Sequence, residues 1–203
     1  MISPEKIKKL AKSVIETELK GARSLTGQIN DNFVKTAKKL LECKGHVLIT
    51  GVGTSNHIAA RFAHLLTCCG TPALFIHPGD SQHGLAGAVG KNDVVIAISK
   101  GGQTAEVLHL AWVARDRGAT LISITENPGS ELAKMSDIIL LVKAPKEVDP
   151  FGMIATGSSL MTAAFCDAVC VVMLNLRGYT LKEFAATHPG GAVGRKLKEK
   201  KLV

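Results

Sequence analysis

His46-Val-Leu-Ile-Thr-Gly51-Val-Gly-Thr-Ser-Asn56 decides the architecture. An apolar strand-type run, HVLIT, enters a glycine turn, and the turn opens on helical spacing that continues to Cys69. Downstream the alternation repeats. ALFIH (73–77) precedes a short helix expected near Gln82–Val89, VVIAIS (94–99) a helix over Thr104–Arg117, and TLISIT (120–125) a helical turn after Pro128. DIILLV (137–142) leads through a loop at 143–155 into a long helix over 156–176. Five short apolar strands separated by helices predict an α/β fold, a three-layer α/β/α sandwich with a five-stranded parallel sheet, because strands apolar on both faces need cover on both faces. Upstream, residues 4–43 carry Leu, Ile, Val and Phe at helical spacing among lysines and read as one or two amphipathic helices, broken near Gly21 or Gly27. The expected organisation is an N-terminal helical arm over 1–45 packed on one globular unit over 46–203.

Composition narrows the function. With 203 residues, 46% hydrophobic, 21% charged and seven prolines, the chain is long and apolar enough for a real core, which excludes disordered and collagenous classes. A net charge of +8 points to an anionic partner. At 4% aromatic, with one Trp and one Tyr, the chain lacks the stacking residues of single-strand or RNA readers, which places small phosphorylated ligands ahead of nucleic acid. Five cysteines, two of them adjacent at Cys68 and Cys69, show no metal-knuckle or disulfide-framework spacing, so a reducing cytoplasm and no metal are expected. The first twenty residues contain no apolar run of leader length. The longest apolar run, Leu160–Leu176, is shorter than the roughly 20 residues of a membrane span and has Asp167 at its centre, so a buried helix is expected there. The tail, RKLKEKKLV, reads as a solvated helical end.

In sheets of this kind ligands bind beyond the carboxyl ends of the strands, where the winding reverses. Three loops there are rich in Gly, Ser and Thr. The first, Gly51-Val-Gly53-Thr54-Ser55-Asn56, begins like a dinucleotide fingerprint but has Asn at the sixth position, and ALFIH runs into Pro78 and Gly79 with no ribose-binding acid. A nicotinamide or flavin cofactor is therefore disfavoured, and no cofactor is expected. What remains is a turn whose backbone N–H groups, with the Thr54 and Ser55 hydroxyls, can face an anion, or a plain strand-to-helix turn capped by Ser55. The second loop, Ser99-Lys100-Gly101-Gly102-Gln103-Thr104, adds hydroxyls, glycines and a cation before another helix. Thr156, Ser158 and Ser159 open a third helix. Convergence of the three would surround one phosphate with neutral donors and helix N-termini. The Gly-Lys-Ser/Thr of a nucleotide P-loop is missing, which favours a phosphate ester on a small molecule.

Taken in order with FIHPGDSQHG, KNDVVIAIS, KEVDPFGMIATGSS and THPGGAVGRKL, these loops resemble the sugar isomerase (SIS) domain, in particular its arabinose-5-phosphate isomerase branch, over residues 30–197. The resemblance is to the shorter forms without the CBS domains of the longest members. It implies a five-stranded α/β/α unit that binds a sugar phosphate, forms homodimers or homotetramers with composite sites, and interconverts D-arabinose 5-phosphate and D-ribulose 5-phosphate through an enediol. It also implies site residues. Glu106, Glu147 and His188 match three of the four acid–base positions of that branch, whereas Thr54 stands where the branch has a lysine. By the same resemblance His83 is a sugar-hydroxyl contact, and Gly53, Ser55, Ser99, Lys100, Gly102, Gln103, Thr104, Thr156 and Ser158 form the substrate cradle. Lys100 is a possible substitute for the missing lysine. A non-catalytic phosphosugar-binding or regulatory protein, and an isomerase of another sugar phosphate, stay open as alternatives.

Overall fold

Ser3 opens the first helix by accepting a hydrogen bond from the Lys6 N–H, with Pro4 at the first helical position. In this computed structural model, which describes residues 3–202, helix α1 runs over Pro4–Ser24. A 3₁₀ turn over Leu25–Gln28 separates it from α2 (Asp31–Glu42), which is capped by the Asn30 side chain. Gly21 stays inside α1, and the break falls at residues 25–30, around Gly27. The rest of the chain runs β1 (Val47–Gly51), α3 (Thr54–Cys68), β2 (Ala73–Phe75), α4 (Pro78–Ser81), β3 (Val94–Ile98), α5 (Ala105–Asp116) and β4 (Thr120–Thr125). It ends with α6 (Glu131–Met135), β5 (Ile138–Leu141), α7 (Gly157–Arg177), α8 (Leu181–Thr187) and α9 (Gly191–Glu199).

One element differs from expectation. The helix expected near Gln82–Val89 is replaced by the four-residue α4, begun early by Pro78, and a separate 3₁₀ turn over Leu85–Ala88. Gly84 divides them at φ 111°, a left-handed conformation that no helix passes through.

All five strands are parallel in the order β2-β1-β3-β4-β5. The register pairs Val47 with Val94 and Gly51 with Ile98, so β1 and β3 end level with each other at the reversal of winding. Strand alternation builds two cores. Ile49, Ile96 and Ile122 pack with Phe33, Phe62, Met161 and Phe165 of α2, α3 and α7. Leu48, Val95 and Leu121 pack with Val107, Leu110 and Leu132 of α5 and α6. Helix α7 is the one described helix long and apolar enough to cross a membrane. Its Met161, Phe165, Val169 and Met173 are nevertheless buried in the first core, as expected of Leu160–Leu176. Its Cys166 and Cys170 pack there as small apolar side chains, and burial pushes the Cys170 thiol up to about 12. By contrast, α1 leaves Ile7, Leu10, Val14, Ile15 and Leu19 exposed.

Candidate active site

At the end of β1 the chain turns through Gly53, whose φ of 60° and ψ of −130° suit only glycine. No side chain caps α3, so its first turn, with Thr54 exposed and Ser55 half-buried, faces the crevice with unpaired donors.

The loop after β3 is built differently. Ser99 is buried; its Oγ accepts from the Gly102 N–H at 3.1 Å and lies 3.0 Å from the Thr104 hydroxyl. Gly102 has φ 65°, a Cβ there would collide with Ser130, and its carbonyl accepts from the Leu132 N–H at 3.1 Å. The loop is thus fastened to the start of α6. Its Lys100 carbonyl accepts from Thr125 Oγ1 at 2.9 Å and from the Glu126 N–H at 3.0 Å. From that fixed backbone the Lys100 ammonium donates to Glu147 Oε1 at 2.7 Å.

Glu147 comes from the loop between β5 and α7, whose start is held by several contacts, among them Gln28 bonded both ways to the Lys143 backbone. Glu126 Oε1 accepts from the Ala144 N–H at 2.9 Å, and the buried Gly21 of α1 lets Pro145 approach so closely that a Cβ would lie 2.7 Å from its Cδ. Glu147 Oε2 accepts from the Ser158 N–H, in the first turn of α7, at 3.2 Å. Burial pushes this carboxyl up, but the Lys100 ammonium and the hydrogen bonds from Ser158 outweigh it and hold the group below the usual glutamate value.

A cavity opens between these elements. Thr54, Ser55, Lys100, Glu126, Ser158 and Ser159 supply its polar wall, and Ile58, Ile98, Ile124 and Val142 its apolar floor. Glu147 is not in the lining; it lies behind Lys100 and Ser158, and its side chain is only 2% exposed. Of the residues singled out in the sequence, Thr54, Ser55, Lys100 and Ser158 line the cavity. Gly53, Ser99, Gly102, Thr104 and Thr156 belong to the loops that shape it, and the buried Thr156 hydroxyl has no hydrogen-bond partner. Gln103 and His83 are exposed and Glu106 is half-buried on α5, all outside the lining. His188 is also outside it: at the end of α8 its ring stacks on Phe184 at 3.8 Å, with Nδ1 2.9 Å from both Thr187 Oγ1 and the Phe184 carbonyl. Ser159, expected with Thr156 and Ser158 at the start of the third helix, also lines the cavity, whereas Glu126 was not singled out. Glu126 had a readable signal, since it directly follows β4 at a carboxyl end of the sheet. Among the described residues no group of three or more His, Cys, Asp or Glu side chains is placed to hold a metal ion.

Hydroxyls, a cation, a carboxylate and the uncapped N-terminus of α3 gathered where a parallel sheet reverses define an α/β domain suited to a small anionic ligand. The chain belongs to the SIS domain family, whose profile matches residues 40–180. Among curated proteins it is 41% identical over 186 residues to the arabinose 5-phosphate isomerase KdsD of Salmonella typhi and 40% identical over 187 residues to that of Pseudomonas aeruginosa. These matches cover 92% of this chain and 57% of each relative, so the chain spans little more than half their length. Among solved structures, a candidate sugar-phosphate isomerase of Listeria monocytogenes superposes with a TM-score of 0.91 at 37% identity, covering 94% of this chain and all of the other. The protein c3406 of Escherichia coli CFT073, in complex with arabinose 5-phosphate, gives 0.89 at 33% identity, covering 92% of this chain and all of the other.

Proposed function

We propose that this chain is a phosphosugar isomerase that interconverts D-arabinose 5-phosphate and D-ribulose 5-phosphate through an enediol, in the cytoplasm, without metal or redox cofactor. One observation carries the reading: a buried carboxylate, Glu147, is held ionised directly behind the polar wall of the switch-point cavity by two residues of that wall. The similarity to KdsD and to the arabinose 5-phosphate complex of c3406 supports the substrate class.

In this reading the phosphate sits against the α3, α5 and α7 N-termini, with Ser55, Ser99 and Thr104 as donors and the Gly53 and Gly102 backbones beside them. Glu147 carries the proton between C2 and C1. Glu106 is a supporting or orienting carboxylate, and His188, delivered from a neighbouring chain, opens the sugar ring. The exposed apolar residues of α1, together with Phe151 and Met153 at 74% and 84% exposure in the Glu147 loop, are the surfaces of a homodimer or homotetramer that would bring His188 there. Nucleic acid and membrane have no place in this account.

The test is an NMR assay of a panel of aldose and ketose phosphates, run beside a thermal-shift screen. Turnover of arabinose 5-phosphate supports the reading; turnover of another sugar alone would reassign the substrate. A second reading, a phosphosugar-binding protein without turnover, draws on Thr54 at the lysine position and on the cover Lys100 places over Glu147. Binding with no turnover across the panel would establish it instead.

A further inference from the structure

Two partners hold the Glu147 carboxylate, and they differ in freedom. Ser158 presents a backbone N–H fixed in the first turn of a 21-residue helix. Lys100 presents the end of a long side chain that is 47% exposed, on a backbone pinned by Thr125 and Glu126. The lysine can leave Glu147 by side-chain rotation alone, whereas the Ser158 amide cannot. Thr54 and Lys100 line that same cavity from the two loops flanking the reversal of winding, so a cation absent from the first loop is present in the second.

We propose that Lys100 is a catalytic residue that passes from Glu147 to the substrate: it covers and ionises Glu147 in the free protein, then moves to the sugar's O1 and stabilises the enediolate. This assignment rests on the isomerase reading of the same cavity. As Glu147 takes the C2 proton, the C2–H electron pair becomes the C1–C2 double bond and the carbonyl pair moves onto O1. Lys100 donates a proton to O1, leaving a neutral enediol and a neutral amine. In the second half the amine takes the O2 proton, the C2 carbonyl forms, and Glu147 returns its proton to C1. Both side chains end in their starting states, so no co-reactant is needed. The geometry suits the handover because the ammonium lies 2.7 Å from the proposed base, and O1 and O2 are bonded to the carbons between which that base moves its proton.

Among the described residues Lys100 is the cation that makes an ion pair with Glu147; the other groups around the carboxylate do not. From α1 the adjoining groove brings Leu10, Ser13, Val14 and Thr17; from the same loop come Lys146 and Val148. From α7 comes the Ser158 amide, and Glu126 shares the Lys100 cavity while its Oε1 is engaged with Ala144.

Lys100→Met and Lys100→Arg test the assignment in the full chain, with melting temperatures confirming the fold. Lys100→Met should lower kcat about 100- to 1,000-fold and move the acid limb of kcat/KM to higher pH, because Glu147 loses its cation. Lys100→Arg should keep the limb where the wild type has it. Lys100→Gln, which retains a donor to Glu147 without charge, replaces the Met variant if that one fails to fold. Adding Thr54→Lys to Lys100→Met should recover about tenfold or more in kcat, since a second lysine then reaches the same cavity. A wild type that turns over, with a folded Lys100→Met variant within threefold of it in kcat or with an unmoved acid limb, overturns the role of Lys100 and leaves the isomerase reading standing. A wild type with no turnover on any sugar phosphate overturns both.

Discussion

The cavity at the end of β3 and the turn at His188 carry equally legible motifs, SKGGQT with KEVDP in one and THPGG in the other, but the fold treats them differently. Around the cavity, residues from three separate loops lock together: Ser99 with Thr104 and Gly102, Gly102 against Ser130, Glu126 with Ala144, and Lys100 with Glu147. His188 instead bonds only within four residues of itself, to Thr187 and Phe184, and stacks on Phe184 of the helix it ends. The cavity is therefore assembled by one chain, while the His188 turn is displayed at a surface, preformed but without a partner group from its own site. The proposed composite site requires that division, with the cavity holding the substrate and His188 supplied by a neighbouring chain.

The comparison can be broken most sharply at Glu147. Glu147→Gln keeps the Ser158 hydrogen bond but removes the basic oxygen, and should reduce kcat by about 100- to 10,000-fold with substrate affinity spared, measured by steady-state kinetics and calorimetry. Mixing inactive Glu147→Ala with inactive His188→Ala then asks whether the two halves come from different chains. Random dimers should regain about a quarter of the wild-type activity; subunit exchange without recovery would place both residues in one chain's site. On the phosphate side, Ser99→Ala with Thr104→Ala removes two hydroxyls 3.0 Å apart and should raise KM about tenfold or more, leaving kcat nearly unchanged. Gly102→Ala meets both a positive φ and the Ser130 side chain, and should lower unfolding free energy by about 2–4 kcal/mol in denaturant titrations. The smallest expected effect belongs to chelation: dialysis against EDTA should leave turnover unchanged, because enediol chemistry can run on acid–base groups alone.

The sheet was readable in the sequence because buried parallel strands are apolar without interruption, and TLISIT is strand β4 from Thr120 to Thr125 as read. Where glycines crowd the chain the reading slipped: Gly84 breaks the stretch expected as a helix over Gln82–Val89, leaving a 3₁₀ turn over Leu85–Ala88 and a helical turn that starts earlier, at Pro78. The loops around the cavity were identifiable from composition and from the carboxyl-end rule. Their closure was not, because it depends on contacts between residues far apart in the chain: Lys100 and Glu147 are 47 residues apart, and no local pattern pairs them. The clamp of Gly21 on Pro145 is equally invisible, since a glycine within a helical pattern reads first as a break. His188 was legible as a motif, but its distance from its own chain's cavity is a property of how α8 and α9 leave the domain.

The most direct test of the account is arabinose 5-phosphate incubated with the wild-type chain and with Glu147→Gln in D₂O, followed by proton NMR. The account predicts ribulose 5-phosphate with solvent deuterium incorporated at C1 for the wild type, and conversion and exchange both slowed about 100-fold or more for the variant. Full conversion and exchange by Glu147→Gln would contradict it.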